Sequence, residues 1–375
     1  MIAYKFRMYP DKTQQQKLWE HANKLNKLYN YFLNLKIEKY KDNKESLSRF
    51  TLQAMLPNLK EEDPELKEIH SQILQGVVKR LDLSYQSFFR RVKNKEVAGF
   101  PKFRPCRNFF GIHYPQSGYT INNNKIKTKA YGELHFVKHR EIKGNIKSIN
   151  ITCKNDQWFV SILSDCEKEK IKNDISIGID VGITNLVALS NGVIIKNKQH
   201  AKYYDKQIGK LQNRKSKCKK GSRKYKRFGQ VITRLYGAKC RKINDFQHKV
   251  SKNLSTKYDT IIVEDLQIKQ MTEGKIRGLN REMRNSSIGN FINKLSYKCN
   301  RLVKVNPRNT SKTCSNCGKI QDMPLHKRTY LCDCGYENDR DVNAAINIHC
   351  LGQAIISGLC SANANLQEAF VFMQK

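Results

Sequence analysis

Apolar and polar positions change rhythm several times along the chain. Residues 3–10, Ala3-Tyr-Lys-Phe-Arg-Met-Tyr-Pro10, alternate as a short strand does, and Pro10 ends the run. From Thr13 to Tyr40 the apolar residues Leu18, Trp19, Ala22, Leu25, Leu28, Tyr29, Phe32 and Leu33 recur at steps of three and four. Ile69 to Val92 repeats that spacing through Ile73, Val77, Leu81, Tyr85 and Phe88. This predicts a helical bundle over 11–100, with Pro57 and Pro64 in its loops. Around Gly99-Phe-Pro-Lys-Phe-Arg-Pro105 the character changes. From Ile112 to Leu163 short alternating runs are parted by turn signals such as Asn122-Asn-Asn124, Tyr131-Gly132 and Lys154-Asn-Asp156. A β-rich module over 101–167 is expected, joined by the opening strand.

Further on, the stretch that begins at Ile175 is two apolar runs joined to a third across Asn191-Gly192, a strong hairpin signal. Another apolar strand is expected at Tyr258 to Leu266, and a small-residue helix at Asp339 to Ile348. No internal repeat is present. Between Lys202 and Lys249 stand 17 Lys+Arg against Asp205 and Asp245, with Tyr203, Tyr204, Tyr225, Phe228, Tyr236 and Phe246 interleaved. A solvated helix pair would also carry such charge. Its density and its aromatics favour a nucleic-acid face, with Lys219, Lys220, Arg223, Lys224, Lys226 and Arg227 at its centre.

Composition extends that reading to the whole chain. In 375 residues, 70 Lys+Arg against 33 Asp+Glu leave a net charge of +37, which repels itself unless a polyanion neutralises it. A nucleic acid is therefore the expected partner. The start of the chain already holds Lys5 and Arg7, and the longest charge-free window, Val342 to Gln367, is broken by several polar residues. Neither a signal peptide nor a membrane span is expected, and the expected location is the cytoplasm of a prokaryote.

Three acids occupy places where a carboxylate is costly. Asp180 ends one apolar strand, Glu264 ends another, and Asp341 opens the small-residue helix. Taken alone, Asp341 also reads as the N-cap of its helix. Gly178 and Gly182 flank Asp180 and are read as room for a substrate backbone. Two strand ends and one helix start are how the ribonuclease-H-like fold gathers carboxylates around two Mg²⁺ ions that bracket a scissile phosphate.

Of twelve cysteines, eight lie scattered, while Cys314, Cys317, Cys332 and Cys334 form Cys-x-x-Cys and Cys-x-Cys pairs fourteen residues apart. That suits one tetrahedral zinc in a reducing compartment better than a disulfide framework, although the second pair is one residue shorter than usual. His326 lies between the pairs, and a surface position is expected for it.

In this order the pieces resemble TnpB, the transposon-encoded OrfB-type proteins related to type V CRISPR effectors. The likeness rests on Tyr4-Lys-Phe-Arg-Met-Tyr-Pro10, His139-Arg-Glu-Ile-Lys-Gly144, Gly178-Ile-Asp180-Val-Gly182, Val263-Glu264-Asp265-Leu266, Thr310-Ser-Lys-Thr-Cys314-Ser-Asn-Cys317-Gly318 and Asp339-Arg-Asp341-Val-Asn-Ala-Ala345. Asn306 and Asn309 stand where many relatives carry Asp and Tyr.

The resemblance implies a multidomain α+β fold: a helical recognition bundle, a β-rich wedge module, and a ribonuclease-H-like (RuvC) α/β nuclease domain with an inserted zinc ribbon. Residues 1–10 would be the first wedge strand, 11–100 the recognition module and 101–167 the rest of the wedge. Residues 168–305 would be the nuclease domain with its basic segment 202–249, 306–338 the zinc insertion, and 339–375 the C-terminal helix and tail. It further implies an RNA-guided DNA endonuclease with catalytic acids Asp180, Glu264 and Asp341. The expected ligands are two Mg²⁺ on those acids and one structural Zn²⁺ on the cysteines. The expected partners are a transposon-derived guide RNA and a double-stranded DNA target recognised beside a short motif, bound by a monomeric protein. A nuclease-inactive RNA-guided regulator and a transposase are the competing functions. All three acids being present weakens the first, and the lack of a dimerisation zipper weakens the second.

Overall fold

The computed structural model describes residues 1–167, 173–198, 200–271, 277–324, 326–361 and 366. The chain forms two compact units, Met1–Glu169 and Lys170–Lys375.

The first unit opens with β1 (Ile2–Met8) and α1 (Lys12–Asn43). Asp11 fixes the start of α1 with a capping box: its carboxylate accepts from the Gln14 amide at 2.8 Å, and the Asp11 amide donates to the Gln14 side chain at 3.1 Å. Then come α2 (Arg49–Ala54), α3 (Leu56–Glu62), a 3₁₀ turn (Pro64–Glu68) and α4 (Ser71–Lys93). Pro57 and Pro64 sit in the first turns of α3 and the 3₁₀ turn, not in loops. A first-turn proline loses no hydrogen bond there. Strands β2 (Ile112–Tyr114), β3 (Tyr119–Asn122), β4 (Lys125–Thr128), β5 (Gly132–Val137), β6 (Ile146–Lys154) and β7 (Gln157–Ser164) complete a seven-stranded antiparallel sheet in the order β2-β6-β7-β1-β5-β4-β3. As the sequence suggested, β1 joins this sheet, pairing with β7 along its whole length from Ile2↔Ser164 to Met8↔Trp158.

Periodicity alone separated the helices at 11–100 from the strands at 101–167, but they share one core. Leu18, Leu25 and Phe32 of α1 and Val77 of α4 lie in the same buried cluster as Phe6, Phe136, Ile151 and Val160 of the sheet. Each element has only one apolar face, and burying each against the other costs less than making two half-sized cores.

In the second unit β8 (Ser176–Asp180), β9 (Asn185–Leu189) and β10 (Ile194–Lys196) form an antiparallel meander, with the Asn191-Gly192 turn between β9 and β10 as expected. Gly192 supplies a φ of +87° there. Two helices follow, α5 (His200–Ser216) and α6 (Arg223–Lys257), then β11 (Thr260–Glu264), α7 (Ile268–Met271), α8 (Arg277–Ser286), α9 (Ile288–Lys298) and β12 (Arg301–Val305). A hairpin of β13 (Thr329–Leu331) and β14 (Glu337–Asp339) leads into α10 (Arg340–Ile356). The sheet order is β10-β9-β8-β11-β12, with β11 parallel to both β8 and β12. Both faces of β11 are covered, which explains its unbroken apolar run. Ile261 and Val263 pack with Val250 and Leu254 of α6 and Phe291 and Leu295 of α9, while Ile262 packs with Ile348 and Leu351 of α10.

Candidate active site

The parallel register Val263↔Ile179 makes Glu264 and Asp180 the closing residues of neighbouring strands, at the same edge of the sheet. Asp341 arrives from α10. The capping role goes to Asp339, whose Oδ1 accepts from the amides of Asp341 at 2.8 Å and Val342 at 3.3 Å. That corrects the reading of Asp341 as a cap: its carboxylate is spared for the cluster. Asp341 Oδ2 accepts from Asn185 Nδ2 at 2.9 Å, and Oδ1 from the Arg340 guanidinium at 3.1 Å, with Arg328 at 3.9 Å from Oδ2. Glu264 Oε1 accepts the Thr310 hydroxyl. Sequence reasoning gave no role to Asn185, Thr310 or Arg340, though Thr310 and Arg340 stand inside the quoted motifs.

The electrostatics show three acids held together against their repulsion. Burial pushes the Asp180 carboxyl well above its ordinary range, and the charges of Glu264 and Asp341 push it further. Burial also raises Glu264, partly offset by the Thr310 hydrogen bond. Asp180 is deep in the protein yet keeps part of its surface accessible. Among the described residues, only the four cysteines have ligand atoms all within 4.8 Å of one another, so the acids are spread wider than a single-ion cage.

Gly178 does not face a substrate. A Cβ there would lie 2.4 Å from the Ala345 carbonyl oxygen and 2.6 Å from the His349 amide nitrogen, so the space belongs to α10. At Gly182 a Cβ would meet Asn185 O of its own loop at 3.0 Å. The glycine at 178 lets α10 approach β8 closely enough to deliver Asp341. His349, in turn, sits 2.8 Å from the Ser176 hydroxyl.

Beside the loop after β8, a cavity of about 690 Å³ is lined by Lys198, Lys202, Lys206, Lys210 and Arg281 around Asp205. The six central cations, Lys219, Lys220, Arg223, Lys224, Lys226 and Arg227, are all exposed on the α5–α6 turn and the start of α6. The aromatics divide. Tyr203 and Tyr236 are exposed, whereas Tyr225 lies under Lys215 and Phe246 under Lys198. The aromatic count in the sequence therefore overstates the surface open for stacking.

The four cysteines come together from two turns. Cys314 Sγ is 3.8 Å from Cys334 Sγ, and Cys317 Sγ is 3.6 Å from Cys332 Sγ. Zn–S bonds of about 2.3 Å place sulfurs about 3.8 Å apart along a tetrahedral edge, so the donor set fits zinc. The short Cys332-Asp-Cys334 pair closes through Gly335, whose amide donates to Cys332 O at 2.9 Å with a φ of +84°. Burial drives the Cys314 thiol up to about 12, while Asn316 and backbone donation lower Cys334 to about 6. His326 is exposed. No helix among the described residues is long and apolar enough to cross a membrane.

Both strand-end acids, the helix-borne third and the cysteine knuckle between the second and third fall inside segments that family models match. Family models match at residues 1–45 ("Helix-turn-helix domain"), 157–275 ("Probable transposase") and 289–348 ("Cas12f1-like, TNB domain"). In the structure the first of these spans is β1 followed by the single long helix α1. A Streptomyces pristinaespiralis protein named "Putative RNA-guided DNA endonuclease" is 29% identical over 94% of this chain and 89% of its own length. "Putative RNA-guided DNA endonuclease InsQ" of Escherichia coli (strain K12) is 25% identical over 95% and 93%. The "Cryo-EM structure of the Cas12f1-sgRNA-target DNA complex" shares the fold with a TM-score of 0.58 at 18% identity, over 90% of this chain and 82% of that one. The chain thus matches the models of the OrfB-type transposon proteins in two segments and is similar along most of its length to proteins named "Putative RNA-guided DNA endonuclease".

Proposed function

We propose that the chain is an RNA-guided DNA endonuclease whose second unit is a RuvC-like nuclease, with Asp180, Glu264 and Asp341 holding two Mg²⁺ ions. The observation that carries this reading is the convergence of three carboxylates, two of them pushed toward protonation by burial and Asp180 also by mutual charge. An arrangement that costly is expected where divalent cations neutralise it. The sheet order with its antiparallel β9, and the relatives' names, support the same reading. Bound there, two Mg²⁺ ions would supply an activated water and a stabilised leaving oxygen.

The chain's own residues do the rest. Arg340 and Asn185 orient Asp341, and Thr310 orients Glu264. The lysines of the adjoining cavity and the six exposed cations of the α5–α6 turn meet the phosphates of guide RNA and target DNA. In this reading the sequence selected is read by the RNA, the protein acts as a monomer, and the four thiolates hold one structural Zn²⁺.

The test is cleavage of a programmed target. Asp180→Ala and Glu264→Ala should each abolish cutting while leaving RNA and target binding near wild type, and Ca²⁺ in place of Mg²⁺ should permit binding with little cutting. Cleavage by both variants refutes the assignment. The intact acids favour this reading over a non-cleaving regulator.

A further inference from the structure

A run of buried hydrogen bonds joins the acidic centre to the cysteine loop, and the chemistry of phosphate hydrolysis does not by itself call for it. Thr310, 1% exposed, donates its hydroxyl to Glu264 Oε1. Its carbonyl accepts from Asn347 Nδ2 at 2.8 Å, and the same amide reaches the Thr313 carbonyl at 2.7 Å. One turn earlier on α10, Asn343 Nδ2 donates to the same Thr313 carbonyl at 2.8 Å, and Asn343 Oδ1 accepts from the Ser315 amide at 3.0 Å. Thr313 and Ser315 are the residues on either side of Cys314.

Both asparagines are fully buried in a helix interior, a place that disfavours them by propensity and by desolvation. Asn347 Oδ1 even lacks a partner among the described residues. An apolar residue would pack there at lower cost but could not hold a loop by its carbonyls. The segment 310–315 thus touches Glu264 at one end and carries the first thiolate at the other, with α10 gripping both.

Resting on the metal-centre reading above, we propose that Thr310 is a positioning residue for Glu264. Asn343 and Asn347 tie its place to the folded cysteine loop, so that a loaded knuckle strengthens divalent-metal binding at the acids. Thr310→Val removes the hydroxyl and keeps the shape; Thr310→Ser keeps the hydroxyl. The full chain, freed of nucleic acid in high salt, is titrated with Mn²⁺ and read by electron paramagnetic resonance, with Asp180→Ala marking the background and zinc content measured in each protein. Loss of an outer-shell partner weakens metal binding roughly 10- to 100-fold. That loss is expected for Thr310→Val and Asn347→Ala with zinc retained, while Thr310→Ser stays near wild type. Wild-type Mn²⁺ affinity in Thr310→Val, with binding lost in Asp180→Ala, overturns the positioning role alone. Mn²⁺ binding unchanged in Asp180→Ala overturns the metal-centre reading and the proposal with it.

Discussion

Replacing Gly178 by alanine should separate the fit of α10 from the chemistry of the acids. The added Cβ would stand 2.4 Å from Ala345 O, about 1 Å short of an ordinary contact, and 2.6 Å from His349 N and Cβ. These are mostly backbone atoms of a helix, so no side chain can swing away; β8 and α10 must separate. Ala345 lies one turn from Asp341, about 6 Å along the helix, so the displacement reaches the acid nearly undiminished. Overpacking of this kind costs about 1–3 kcal/mol, or roughly 2–12 °C in Tm for a unit of this size. A misplacement of about 1 Å costs roughly 100-fold in rate. Single-turnover cleavage by the RNA-loaded protein and a melting curve measure both. Gly352→Ala is the comparison: the three atoms nearest its Cβ, from 2.4 Å, all belong to the Ile262 side chain, so it should lower Tm with a smaller loss of rate. Gly209→Ala, with nothing within 4 Å, should gain about 0.5–1 kcal/mol, as alanine does over glycine in a helix. A Gly178→Ala protein that melts and cuts like wild type would refute the argument.

Asp180→Asn should stabilise the metal-free chain at neutral pH, since the folded carboxyl is raised above its ordinary 3.8 and the charged form is paid for in stability as pH rises through the folded value. The gain should shrink as pH falls toward 4, and melting the two proteins across pH without divalent ions checks it; an equal gain at every pH would contradict it. Cys314→Ser should lose the one zinc per chain and unfold the segment around β13 and β14, because structural zinc contributes about 10–16 kcal/mol of apparent binding energy in small peptides. Metal analysis decides, and full activity without zinc would remove the site. Changing Lys219, Lys220, Arg223, Lys224, Lys226 and Arg227 together to Gln should strip copurifying RNA. It should also flatten a log–log salt slope near minus four, from about 0.7 per phosphate over about six contacts. Unchanged RNA content with lower solubility would make the segment a solvated face.

What the sequence disclosed and what it hid divide along one line. Asp180 and Glu264 were legible because an acid closing an apolar strand is anomalous within a few residues, and the cysteines because ligand spacing is local. Asp341 was ambiguous because Asp339 and Asp341 both open α10, and only the folded loop shows which of them caps. The role of Gly178 was misread because its neighbour, Ala345, is remote in the chain. The same distance hid the shared core of the first unit, where α1 meets strands more than a hundred residues later.

The charge balance of the whole chain makes the isolation of the acids an argument about selectivity. With a net charge of +37, a carboxylate cluster would ordinarily recruit lysines and be neutralised by them. Among the described residues no ion pair within 4.0 Å reaches Asp180 or Glu264; Arg340 and Arg328 pair with Asp341, and Arg340 acts on Asp180 through its charge. Desolvation keeps the flexible ammonium groups out, since a lysine drawn in among the buried acids would lose its own hydration. In the reading proposed above, a small divalent ion would gain more there, because it meets several oxygens at once and can keep part of its water. The cations are left to the exposed α5–α6 turn and the rim of the cavity, where a phosphodiester backbone can reach them without competing for the acids.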